Sequence, residues 1–329
     1  MKTRTLVIMA SRRQDQDLVA QLADNAEGRV VPSFGWHPWF CHHIIVDDSP
    51  TTEMDAAEHY QQVIAPCPTE SEFLSSLPEP VLLSDVLAQM RRCLENYPDA
   101  LIGEIGLDRS FRIPGTETLD WAQDPDSGRT SGGRHGHRLS RYRVVMQHQQ
   151  KVLTAQLNLA GELGRAVSIH GVGAHGTLHD TIAATWKGQE KLSRRQLKDA
   201  AATDCLDSPK DAVAGSQNST KSYPPRICLH SFSGQPDTVR QYLRPHVPAT
   251  IFFSFSSLVN FSSESQKAYD TIKAVPDDRL LVESDLDTFG ELLDEKMEDV
   301  SKRVCEIKGW SLTDGISQLS SNWHRFVYG

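Results

Sequence analysis

Four apolar runs in this chain each finish on a side chain able to hold a metal ion. Leu101-Ile102-Gly103 leads into Glu104, and Leu280-Leu281-Val282-Glu283-Ser284 leads into Asp285. Ala166-Val167-Ser168-Ile169 leads into His170, and Ile227-Cys228-Leu229 leads into His230. Each residue alone has a plainer reading. A carboxylate inside an apolar run must be paired or bind a cation, so Glu104 fits a metal ligand or a buried ion pair. His170 and His230 fit hydrogen-bonded histidines of a core or rim, and Asp285 fits the cap of a following helix. Together they favour one shared site, because two imidazoles and two carboxylates stand at the same relative place on four runs. The runs lie far apart in sequence, so only a fold can bring their ends together.

The elements that would position them alternate between strand and helix. Residues 5–10, 29–34, 101–107, 166–170, 226–230, 250–254 and 280–285 read as buried strands. Between them, residues 15–26 place Leu18, Val19, Leu22 and Ala23 at helical spacing. Residues 82–94 read as a helix capped by Ser84, and residues 142–163 as a long amphipathic helix stopped by Gly164. Such alternation implies a parallel sheet with right-handed crossovers. A parallel barrel presents all its strand ends at one face, where its active sites lie. The expected fold class is therefore α/β, a TIM (β/α)8-type barrel with seven recognised strands and the first apparently lacking. One barrel domain would span residues 1–329. Two segments interrupt the rhythm: residues 123–137, rich in Gly, Ser, Arg and Asp, and the polar residues 187–225, expected to be a mobile insertion.

A net charge of -9 argues against a surface devoted to coating nucleic acid. It leaves room for a nuclease, since a few local cations and metal ions suffice to hold a phosphate. The six cysteines are scattered without a Cys-x-x-Cys pair, the pattern of a reduced intracellular protein. The apolar residues 6–10 are too few for a signal peptide, and no run is long enough for a membrane span.

Gly103-Glu104-Ile105-Gly106-Leu107-Asp108, Ser168-Ile169-His170, His230-Ser231-Phe232-Ser233-Gly234 and Glu283-Ser284-Asp285 resemble the signature blocks of the TatD-type metal-dependent deoxyribonucleases. Gly35-Trp36-His37-Pro38 resembles that family's Gly-x-His-Pro block, and the resemblance runs in order from Leu6 to the carboxyl end. It implies metal-assisted hydrolysis of DNA phosphodiester bonds, exonuclease-like in the 3′ to 5′ sense, with two divalent ions drawn from Zn, Mg and Mn. By resemblance, Glu104 bridges the ions, His170 and His230 complete one site, and Asp285 binds the other and accepts the proton of the attacking water. Glu104 and Asp285 are thus the catalytic candidates. His37, flanked by Trp36 and Trp39, reads either as a substrate contact at the rim or as a packed histidine. The longer loops are similar to a fungal branch that includes proteins described as interacting with a subunit of a cell-cycle complex. DNA as substrate, such a subunit as protein partner, no membrane, and a cytoplasmic or nuclear location are the corresponding expectations.

One departure stands out. Family members open with a strand ending in a His-x-His pair, whereas Met1-Lys2-Thr3-Arg4-Thr5-Leu6 resembles the family's second strand. His135-Gly136-His137 has the spacing but sits in a Gly- and Arg-rich loop, and His42 and His43 have no strand to orient them. The expectation is a half-site of Glu104, His170 and His230 holding one ion or none. A shortened gene product and sheet edges left open at residues 5–10 and 280–285 are also expected. The alternative to an impaired nuclease is a non-catalytic scaffold built on the same barrel, with residues 187–225 as its binding element.

Overall fold

The computed structural model describes residues 3–46, 55–118, 137–192, 221–262 and 266–329. Its centre is a seven-stranded parallel sheet whose spatial order is the order of the sequence. The strands are β1 (Leu6–Met9), β2 (Val30–Phe34), β3 (Leu101–Asp108), β4 (Val167–Val172), β5 (Arg226–Leu229), β6 (Thr250–Ser256) and β7 (Leu280–Glu283). All seven fall on the runs that hydrophobicity marks as buried strands. Helices occupy the connections: α1 (Arg13–Asn25), α2 (Ala56–Val63), α3 (Ser71–Ser76), α4 (Leu83–Asn96), α5 (Met146–Glu162) and α6 (His175–Thr185). After these come α7 (Pro236–Tyr242), α8 (Ser257–Asn260), α9 (Gln266–Ala274), α10 (Glu291–Lys308) and α11 (Leu312–Val327). Among the described residues β1 and β7 do not pair with one another, so the sheet curves as an open barrel with those two strands at its edges. The start of β1 is nonetheless tied across the gap: Thr3 donates its N–H and hydroxyl to Asp294 of α10 at 2.9 and 2.8 Å.

Side chains alternate between the two faces of a strand. Outward-facing residues such as Ile102, Val167, Ile169, Ile227 and Phe253 join the helices in the main core. Inward-facing residues fall into tiers. At the bottom, Val31, Leu101, Ala166, Cys228, Phe252 and Leu281 make a compact apolar layer, closed from below by Phe326 and Val327 of α11. Two residues further along each strand the inward positions hold Ser33, Gly103, Ser168, His230, Ser254 and Glu283. Polar groups are thus stacked on an apolar floor, where they must satisfy one another.

Glu104 reaches this tier through an irregularity. Ile102 pairs with Val167 and Ile105 with Ile169, so Gly103 and Glu104 together oppose the single residue Ser168. The extra residue re-aims the strand, as bulges beside active sites do. Gly103 fits closely there: a Cβ would stand 3.0 Å from both Ser168 Cβ and Ser33 Oγ.

Three local expectations need correction. Leu82, not Ser84, precedes the first turn of α4, and no side chain caps it. Helix α5 begins at Met146 rather than near Tyr142, because Arg143 and Val144 pair with Ala65 and Ile64 in a short antiparallel ladder. Asp285 caps no helix; α10 starts only at Glu291. Gly164, at φ +65, does terminate α5. Within 187–225, Tyr223 is buried, and residues 193–220 lie outside the described residues, as do His135 and Gly136. His137 begins a short strand, His137–Leu139, paired with Pro114–Thr118. The described cysteines Cys41, Cys67, Cys93, Cys228 and Cys305 are free thiols, and no helix among the described residues is long and apolar enough to cross a membrane.

Candidate metal centre

Glu104, His170, His230 and Asp285 meet at the carboxyl-terminal mouth of the sheet. Glu104 Oε1 is the hub: His170 Nδ1 lies 3.0 Å away, His37 Nε2 3.6 Å and His230 Nε2 3.7 Å. Asp285 Oδ1 stands 3.1 Å from the same nitrogen, His230 Nε2. Glu104, the two strand-end imidazoles and Asp285 are therefore neighbours in space, although 181 positions separate Glu104 from Asp285.

Each of the two strand-end histidines is backed by a second carboxylate that the sequence does not single out. His170 Nε2 is 3.1 Å from Asp108 Oδ2. Asp108 is itself locked: Oδ1 accepts from Ser110 N and Phe111 N at 2.7 and 2.9 Å, and Oδ2 accepts from the Trp39 indole at 2.7 Å. His230 Nδ1 is 2.8 Å from Glu283 Oε2, an ion-pair contact off the line of a straight hydrogen bond. Glu283 is held by the Ser231 hydroxyl at 2.7 Å and the Ser254 hydroxyl at 2.7 Å. Carboxylates that hold the outer nitrogen of a histidine fix its tautomer and raise its basicity as a ligand. Both rings thus present one nitrogen, Nδ1 of His170 and Nε2 of His230, towards Glu104.

His37 differs in kind. Its Nε2 and the donor atoms of Glu104 and His170 all lie within 4.8 Å of one another, so distance alone would make it a third imidazole ligand. Its Nδ1, however, accepts the Trp39 N–H at 3.2 Å at the start of the 3-10 helix Pro38–His43. A nitrogen that accepts carries no proton, so in the neutral ring the proton sits on Nε2 and points at Glu104. Burial, reinforced by the charge on His170, holds the His37 pKa below its ordinary value and keeps the ring neutral. The geometry therefore makes His37 a hydrogen-bond donor into the cluster. It is 3% exposed and lies under Trp39, inside the site rather than on an open rim.

The electrostatics match. Burial opposes charge on His170, yet its bonds to Asp108 and Glu104 outweigh that penalty and carry its pKa up to about 9. Burial likewise opposes charge on His230, and the charges of Glu104 and Glu283 raise its pKa well above the ordinary value. For Glu104, burial is overcome by His230 and His37, and its pKa falls well below the carboxylate range. Asp108, for which burial is overcome by His170, falls to about 2. Asp285 is lowered by His230 against its own burial. Two imidazolium protons thus offset half the charge of a cluster of four carboxylates. Proton-stabilised clusters of imidazole and carboxylate are also sites that a divalent cation fits, because the cation replaces the protons and takes the same lone pairs. The mixed N/O donor set suits Zn, Mn or Mg, and does not select among them.

Asp108 and Glu283 are the residues that sequence reasoning misses. Both lie within the motif blocks, and Glu283 has a signal that could have found it: it shares the inward parity of Leu281. His42 and His43 pack ring against ring, their centroids 4.1 Å apart. They belong to a separate buried nest in which His59 Nε2 meets His42 O and His148 Nε2 meets Cys41 O, each at 2.8 Å.

Comparison with known proteins places this geometry in a family. Residues 1–328 match the family model described as TatD related DNase. The Cut9-interacting protein scn1 of Schizosaccharomyces pombe is 37% identical over 328 residues, covering 98% of this chain and 91% of that protein. An uncharacterized deoxyribonuclease of Saccharomyces cerevisiae, YMR262W, is 25% identical over 336 residues, covering 97% and 90%. Among solved structures, YJJV, a TatD homologue from Escherichia coli, superposes with a TM-score of 0.56 at 16% identity over 99% of this chain and 87% of its own. An uncharacterized amidohydrolase from S. cerevisiae gives 0.55 at 15% identity over 98% and 88%. At those identities the structural likeness establishes the fold.

Proposed function

The chain belongs to the TatD related DNase family, and from that premise we propose that it hydrolyses phosphodiester bonds of DNA at the Glu104 centre, removing nucleotides from a 3′ end. The observation that carries the reading is the pair of carboxylate-backed histidines, His170 on Asp108 and His230 on Glu283, converging on one buried carboxylate. In this reading Glu104, His170 Nδ1, His230 Nε2 and Asp285 hold the divalent ion or ions. A bound divalent ion supplies Lewis acidity at the phosphate and a bound water of lowered pKa. The chain's own groups do the rest. Asp285, the most open carboxylate of the set, accepts the proton of the attacking water. His37 donates Nε2–H to a phosphoryl oxygen as negative charge builds there. Asp108 and Glu283 keep the two imidazoles in the ligating tautomer. The Trp39 and Phe111 rings, stacked 4.8 Å apart at 13°, form an aromatic edge beside the centre suited to a nucleobase face.

The test is release of nucleotides from 5′-labelled single-stranded DNA with Mg, Mn or Zn, using the wild-type chain and Glu104→Gln. Ion-dependent shortening from the 3′ end, lost by about 100-fold or more in the variant as expected for a carboxylate shared by the whole cluster, supports the proposal. Equal activity in Glu104→Gln, or no cleavage with any of the three ions, refutes it.

A second reading rests on a different observation. The 37%-identical relative is named for its interaction with Cut9, and a protein-binding role on the same scaffold would not need the centre. Under it, Glu104→Gln still captures a Cut9-type partner, whereas deletion of residues 193–220 abolishes capture. Capture that survives the deletion removes that segment as the binding element.

A further inference from the structure

At the end of the sheet opposite the metal centre, a cavity of about 340 Å³ opens where β3, β4 and β5 begin. Arg165, Arg226, Asp99, Gly164 and Tyr328 line it. The two arginines enter from neighbouring strand starts, Arg165 two residues before β4 and Arg226 as the first residue of β5.

Each guanidinium has a structural duty that occupies part of it. Arg165 Nη2 donates to Leu94 O near the end of α4 at 2.7 Å. Arg226 donates through Nε to Phe326 O at 2.7 Å and through Nη2 to Val327 O at 3.1 Å, fastening the end of α11 under the apolar floor. A guanidinium carries five N–H donors, so capping two helix ends leaves most of them unspent. Arg165 Nε is fully buried and has no hydrogen-bond partner. Arg226 Nη1 lies beside Gly329. Among the described residues, neither guanidinium has a carboxylate at ion-pair distance, and the nearest acidic influence on Arg165 is Asp99. Burial disfavours the charge on both arginines, with Asp99 offsetting part of that for Arg165 only. Two half-buried cations that line one polar cavity and keep donors to spare are an incomplete arrangement, because buried charges are ordinarily paired.

We propose that this cavity, between Arg165 and Arg226 beneath the barrel floor, binds a phosphate monoester or free phosphate. The guanidinium fork matches an oxyanion bidentately, and phosphate offers enough acceptors to engage both arginines at once. The volume exceeds that of phosphate alone and admits a small organic substituent. Asp99, on the wall, sets the sign of a control: it repels the ligand and weakens binding. The site is independent of the metal centre, which lies at the other end of the strands.

The experiment is calorimetric titration of inorganic phosphate, then of glycerol 3-phosphate, into chain treated with chelator so that no metal-bound phosphate contributes. Saturable phosphate binding is expected, weakened at least about tenfold, or about 1.4 kcal/mol, in Arg165→Gln through the loss of one charge-assisted contact. It should be tightened several-fold in Asp99→Asn. Tighter binding of glycerol 3-phosphate than of phosphate assigns the site to a monoester, and the reverse to the free ion. No saturable binding, or equal binding in Arg165→Gln, overturns the proposal. Should Arg165→Gln fail to fold, Asp99→Asn decides: unchanged or weaker phosphate binding there overturns it equally.

Discussion

Replacing Asp108 by Asn keeps the shape of the side chain and changes only which atoms donate. The amide oxygen can still accept from Ser110 N and Phe111 N, now at 2.7 and 2.9 Å. The amide nitrogen then takes the place of Oδ2, facing the Trp39 indole and His170 Nε2. Two consequences follow. The indole donates only, so it loses its acceptor, at a cost of about 1–3 kcal/mol in stability. The amide also donates to His170 Nε2, which drives the ring proton onto Nδ1, the nitrogen aimed at Glu104. A protonated Nδ1 cannot ligate, so divalent-ion affinity should fall about 10–100-fold, the usual range for a lost outer carboxylate, or about 1.4–2.7 kcal/mol. The two effects separate with a second substitution. Trp39→Phe removes the orphaned indole, so Asp108→Asn with Trp39→Phe should recover stability but not ion affinity. Urea unfolding of the metal-free chain and calorimetric titration with Mn or Zn read the two quantities. Wild-type ion affinity in a folded Asp108→Asn chain would refute the tautomer argument and reduce Asp108 to a turn-stabilising acceptor.

Two further outcomes are expected. Gly106→Ala should lower stability by about 1–3 kcal/mol or more and weaken ion binding with it, because the new Cβ would stand 2.1 Å from the His170 carbonyl oxygen and prise β3 from β4; an unchanged urea midpoint would contradict the close approach. The nest around Cys41 should make the fold acid-sensitive. Burial holds His148 at about 4 against an ordinary 6.5, so its unfolded form binds the proton first. Its contribution is fully present above pH 6.5 and is lost as pH falls through 4, by about 3 kcal/mol for a shift of this size. His148→Gln should flatten the unfolding free energy between those pH values, and an unaltered slope would show that His148 is not a source of it.

The sheet was legible because its strands are the chain's most continuous apolar runs, and burial on both faces writes that pattern directly into β3 to β6. The metal-centre candidates were legible because imidazoles and carboxylates are rare at the ends of such runs. What escaped reading depends on contacts that no spacing records. Asp108 matters because Trp39, 69 positions earlier, donates to it. The tautomer of His37 is set by a backbone N–H two residues on, so its residue type alone left substrate contact and packing open. The start of α5 moved because Arg143 and Val144 found partners in Ile64 and Ala65, a pairing stronger than local helix propensity. Arg165 and Arg226 carry no pattern in the sequence that joins them, and only the fold sets them beside one cavity.

The open sheet and the converged cluster are compatible for a geometric reason. His37, Glu104, His170, His230 and Glu283 are carried on or directly after β2, β3, β4, β5 and β7, and these strands form one continuous hydrogen-bonded series with β6. The gap between β1 and β7 falls outside that series. Placement of each group of the cluster is thus set by its immediate neighbours: the Gly103–Glu104 bulge against Ser168, the Ser254 and Ser231 hydroxyls on Glu283, the indole on Asp108. Preorganisation of this kind needs rigid local support rather than a closed ring. The carboxylate least supported by it is Asp285, which lies beyond the end of β7 at φ +56, is held by the His230 ring and the Ser231 hydroxyl, and stands nearest the open edge. A residue that must accept a proton and then release it to solvent gains from that freedom, whereas a residue that only holds an ion gains from being fixed. The position of Asp285 relative to the gap therefore favours its assignment as the proton acceptor over Glu104, the buried hub.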